Sequence, residues 1–103
     1  MEATLKQQYP FRLCTTSFIY PAGYLFNVQQ LASLVDEIEL LLFESQHLPP
    51  REEIAGLADL ANEHCITYNV HLPMDVHLAG ETTEVRRRSI DAVAYAIDRV
   101  APL

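Results

Sequence analysis

Four ionisable side chains fall where an apolar run hands over to a loop, the position at which α/β sheets collect groups that act on ligands. The segment Ile66 to Gly80, ITYNVHLPMDVHLAG, carries three of them: a β-rich run closes on His71 and Pro73, and the loop beyond holds Asp75 and His77. A neutral imidazole at position 71 offers a nitrogen to a divalent metal. It equally suits a structural histidine bonded to a loop carbonyl. Asp75 and His77 add an oxygen and a nitrogen donor, and a polar surface turn accounts for them as well.

Glu44 closes the preceding run, EIELLLFE, where a carboxylate suits a metal ligand or a general base, or simply a solvated loop. Glu39 lies near the start of that run and faces the opposite side. Set between Ile38 and Leu40, it is either at an exposed strand start or buried with a partner, because an unpaired buried charge is costly. Thr15, Thr16 and Ser17, followed by Tyr20 and Tyr24, place hydroxyls and rings around the end of an earlier run. They suit a phosphate or a base edge, and equally capping and core packing.

The elements that must position these groups follow from periodicity. Phe11 to Phe18, rich in β-branched and aromatic residues, predicts a first strand. Tyr20-Pro21-Ala22-Gly23 predicts a turn, and Val28 to Val35 a first helix with Asn27 as N-cap. Glu37 to Glu44 is apolar on nearly both faces, as in a covered parallel strand. After Leu48-Pro49-Pro50, the recurrence of Ile54, Leu57, Ala58 and Ala61 predicts a helix over 51–64, with Glu52 and Glu53 at its positive end. Ile66 to His71 reads as a third strand and Glu84 to Val100 as a third helix, with Ile90, Val93, Ala94 and Ile97 as its buried stripe. Three strands alternating with three helices imply βαβ crossovers, a parallel sheet and an α/β fold.

The 103 residues bound the chain to a single domain, half apolar and one-fifth charged. A net charge of −7 argues against a nucleic-acid surface, which needs clustered Lys and Arg. Arg86, Arg87 and Arg88 are the sole basic cluster, and on a helix they point in different directions. The apolar run Leu40 to Phe43 is far too short to cross a bilayer. The start, MEATLKQQYPFRL, has an early acid and no apolar core; this predicts no signal peptide, a cytoplasmic location and a frayed tail over residues 1–9. Cys14 and Cys65 lack CxxC spacing and are expected as two buried free thiols.

The phrases RLCTTSFIYPAGYLFNV, LVDEIELLLFES and VHLPMDVHLAG, followed by TTEVRRRSIDAVAYAIDRV, resemble the xylose-isomerase-like barrel superfamily. That superfamily includes apurinic endonuclease family 2 and the sugar phosphate isomerases and epimerases. The narrower likeness is to its cobamide-remodelling phosphodiesterases, which hydrolyse a phosphodiester in the nucleotide loop of corrinoids. The resemblance runs from Tyr9 to Leu103 and implies the N-terminal three βα units of a (βα)8 barrel, which typically needs about 250 residues. It implies a divalent metal, zinc or manganese, with His71 and Glu44 as ligands, and Glu44 or Glu39 as base. It also implies that Tyr20, Tyr24, His77 and Asp75 bind a small-molecule substrate, a corrinoid or a sugar phosphate. His77 stands where the nuclease branch places Asn, and Cys14 where Gly is expected. The competing expectation is a non-catalytic fragment or small domain whose unprotected sheet edges drive association into a homo-oligomer.

Overall fold

The computed structural model describes residues 4–103. Strands and helices alternate strictly: β1 (Cys14–Thr16), α1 (Tyr24–Leu31), β2 (Glu37–Leu41), α2 (Arg51–His64), β3 (Thr67–His71) and α3 (Thr83–Val100). The strands form one parallel sheet in the order β1-β2-β3. The α/β reading and the parallel sheet therefore hold. No helix among the described residues is long and apolar enough to cross a membrane.

The core lies on one side of this sheet. Ile38 and Leu40, fully buried on β2, pack with Val28, Leu31 and Ala32 from the first crossover and with Ile54 and Leu57 from the second. Alternation along each strand sends every second side chain the other way, so the opposite face carries no helix and stays open.

Local chemistry sets the element limits. The α2 helix spans the predicted residues because Pro49-Pro50 stops extended chain and Glu52 and Glu53 sit in its first turn. It ends at Cys65, whose φ of 55° and ψ of 45° put a side chain in the left-handed region usually left to glycine. The β1 strand is much shorter than the predicted Phe11–Phe18, and both phenylalanines are exposed. Its ladder is continued by a side chain: the Ser17 hydroxyl accepts from the Leu41 N–H at 3.1 Å. The β2 strand ends at Leu41 rather than Glu44.

The first helix starts at Tyr24, four residues before the prediction, with Gly23 as N-cap. Asn27 is thus no N-cap but a fully buried residue inside the helix. Its Oδ1 accepts from the Ile19 and Tyr20 N–H groups, and its Nδ2 donates to the carbonyls of Tyr20, Ala22 and Gly23. One amide side chain thereby satisfies the turn entering α1.

The segment expected as a tail is hydrogen-bonded from Thr4 onward. The Leu5 N–H donates to Leu34 O at 2.9 Å. The Lys6 ammonium donates to Ala32 O at 3.0 Å and to His64 O, so a single cation serves the carboxyl ends of α1 and α2. Asp36 accepts from the Leu13 N–H at 2.8 Å and the Gln7 N–H at 2.9 Å. These bonds, Leu13's first, hold its carboxyl below the usual carboxylate range.

Two further expectations fail. Cys14 and Cys65 are free but exposed, not buried, because one lies on the open sheet face and the other at a helix end. The stripe of α3 is also misplaced: Ile90 is 58% and Ile97 52% exposed, and Ala94 is exposed too. The buried line is Ser89 and Ala96 instead. Crossover helices of a parallel sheet run in one direction, yet the carboxyl end of α3 meets the amino end of α2. Arg99 donates to Pro49 O at 2.8 Å, and Asp98 lies 3.5 Å from Arg51. Val100 and Leu103 pack on the core from there. The result is a molecule of 54 × 29 × 24 Å with a radius of gyration of 15.4 Å, against about 13 Å for a compact chain of this length.

Candidate active site

The open face of the sheet brings polar side chains from all three strands into register. Cys14 pairs with Glu37, Thr16 with Glu39, Glu37 with Thr67, Glu39 with Asn69, and Leu41 with His71. At the amino-terminal end of this face Arg12 Nη1 donates to Thr67 Oγ1 at 2.6 Å, and Thr67 Oγ1 donates to Glu37 Oε1 at 2.7 Å. Asn69 Nδ2 donates to Glu37 Oε2 at 2.9 Å and to Cys14 Sγ at 3.3 Å. Both Glu37 oxygens are occupied, and the Asn69 amide is held by two partners. Desolvation, opposed by the Asn69 bond, raises the Cys14 thiol, so it remains protonated near neutral pH and is a poor nucleophile.

Higher on the face the character changes. His71 is exposed at the end of β3, beside Leu41. Its Nδ1 lies 2.8 Å from Leu72 O. A carbonyl only accepts, so Nδ1 carries a proton, and in the neutral ring this tautomer leaves the lone pair on Nε2. Beyond the strands, Phe18 and Phe43 meet edge to face at 5.7 Å, and the Met74 N–H donates to Phe43 O. Phe18, Phe43 and Met74 are all exposed, one from each strand-to-helix loop, and form an apolar rim.

Of the other predicted site residues only Glu39 shares this face, and the rest lie elsewhere. Glu39 is on the open face, half-buried, between Thr16 and Asn69. Glu44 is exposed and bonded to His47 Nδ1 at 2.6 Å. Tyr20 stacks edge to face on Phe26, whereas the Tyr24 hydroxyl donates to Leu41 O at 2.5 Å and its ring packs on the core. Asp75 accepts from the Ser45 N–H and hydroxyl. It lines, with His77, Arg88 and Tyr95, a separate cleft of about 630 Å³ between the loops and α3. Among the described residues no three His, Cys, Asp or Glu side chains converge as a metal cradle. This chain's donors therefore do not by themselves fit a complete catalytic metal site, which takes about three protein ligands.

Sequence reasoning reached His71 and Glu39 through their place on a strand, but passed over Arg12, Glu37, Thr67 and Asn69. Parity along β2 and β3 was the available signal for the last three, since Glu37 is two residues from Glu39 and Asn69 two from His71. Comparisons with family models, curated proteins and solved structures gave no match.

Proposed function

We propose that this chain supplies the first three βα units of a metal-dependent (βα)8 hydrolase. Its substrate would be a phosphodiester carrying a large apolar body, of which a corrinoid nucleotide loop is the type. The observation that carries this reading is the gradient on the open sheet face: a hydrogen-bonded polar floor, His71 with a free Nε2, and an apolar rim above. Such a rim suits a bulky apolar body and wastes its surface on a sugar phosphate, which ranks isomerase or epimerase chemistry second. That second reading rests on Glu39, a half-buried carboxylate on the same face, placed as a proton carrier.

In the proposed enzyme His71 would hold the metal through Nε2, with additional ligands supplied by further strands. A bound divalent cation would lower the pKa of a water and offset phosphoryl charge. The chain's own part is positional. Glu37 fixes the Asn69 amide, Thr67, itself held by Arg12, fixes Glu37, and Phe18, Phe43 and Met74 would hold the apolar body. Glu39 accepts a proton. With two carboxylates and a net charge of −7, this chain repels a phosphate, so a cation is what the electrostatics lack.

The test is turnover of bis(4-nitrophenyl) phosphate and of a ketose phosphate, with zinc or manganese added, by the protein that carries this chain. We expect diester hydrolysis that falls at least about 100-fold in H71A, since even groups behind a ligand cost 10–100-fold. Unchanged turnover in H71A removes histidine 71 from the reaction. Epimerisation without hydrolysis moves the assignment to the second reading. Neither activity leaves the chain as a non-catalytic associating domain.

A further inference from the structure

We propose that α3 is the interface of an antiparallel homodimer, in which Ile90, Ala94 and Ile97 pack on the same three residues of a second copy. The three residues follow i, i+4, i+7, one continuous face of a helix. Periodicity marks them as made for burial, yet the chain's own core uses the Ser89–Ala96 line and leaves this stripe to solvent. The exposed surface of 6742 Å² exceeds the about 5,900 Å² expected for 11.7 kDa, as a chain with an uncovered face would show.

Charge selects the occupant. Arg87 and Asp98 flank the stripe on the same side, one toward each end of α3. An antiparallel pair with its two-fold axis beside Ala94 sets Ile90 against the second copy's Ile97. It also brings Arg87 against the second copy's Asp98, twice by symmetry. A parallel pair, whose two-fold axis runs along the helices, would put these flanks on opposite sides of the seam and leave Arg87 far from the second copy's Asp98. Among the described residues Arg87 has no carboxylate partner. Asp98 has only the exposed contact with Arg51 at 3.5 Å, which is worth little and is easily exchanged. The small side chain at Ala94 lets the axes approach to about 8 Å. The 18 residues of α3 extend about 27 Å. One helix of that length buries less than the roughly 800 Å² per partner of a standard interface, so the dimer is weak.

Sedimentation velocity of the full chain from about 5 to 500 µM is expected to show a monomer–dimer equilibrium with a Kd of tens of micromolar, as a sub-standard interface gives. R87E and D98R should each weaken it at least about tenfold, with far-UV circular dichroism unchanged because both sites are exposed. Mixing R87E with D98R restores opposite charges at both contacts, so the mixture should dimerise as the unaltered chain does. I97E should abolish the dimer outright. A monomer across the whole range overturns the proposal. So does a dimer indifferent to both charge changes, or a mixture no tighter than either variant alone.

Discussion

Single residues do most of the positioning in this fold, and Asp36 shows how. Its carboxylate ties Leu13 and Gln7, drawing the amino-terminal segment beneath the sheet. Because the folded carboxyl sits below its unfolded value of about 3.9, the stabilisation is present above that pH and is lost as pH falls through the lower folded pKa. D36N should therefore be less stable than the unaltered chain in urea melts at pH 7. The gap should close toward pH 3, and a constant gap would sever the link to ionisation. Asn27 is the second example. Removing its side chain strips partners from five backbone groups around a buried turn. N27A is expected to cost about 2–4 kcal/mol in denaturant melts, and a loss below about 1 kcal/mol would mean that water replaces the amide.

At the scale of elements, each helix end is handled differently, and the least comfortable is that of α2. Cys65 holds a left-handed conformation that costs an L-residue about 1 kcal/mol, against which glycine's extra unfolded freedom counts. C65G should raise stability by about 0.5–1 kcal/mol, read as a shift in the urea midpoint at constant slope; a lower midpoint would show that the thiol side chain has a packing role. The end at His64 was legible in the sequence, but the left-handed cap at Cys65 was not, because no glycine marks it.

What was legible had short-range signals. Double proline and paired glutamates bounded α2, and the apolar run marked β2. The start of α1 escaped because Asn27 resembles a cap and in fact works four residues into the helix. The polar floor escaped because Arg12 and Thr67 lie 55 residues apart, and only strand register brings them together. The α3 helix was legible from its periodicity, but its buried line was not: Ile90, Ala94 and Ile97 are exposed, and Ser89 and Ala96 face inward instead.

For the whole molecule, the two crossover helices and one sheet face make the core, while α3 stands away from them and stretches the shape. The open face and the α3 stripe are separate surfaces. One is polar with an apolar rim, as a ligand site requires, and the other apolar with paired charges at its ends, as self-association requires. Activity and dimerisation should therefore be separable by mutation. The Lys6 ammonium adds a consequence in time. Its second carbonyl partner, on His64, is made 58 residues later, which at ribosomal speeds is about 3 to 12 s. Until then the Lys6 ammonium has only its Ala32 partner, so the knot that joins both helices is tied only once His64 has been translated.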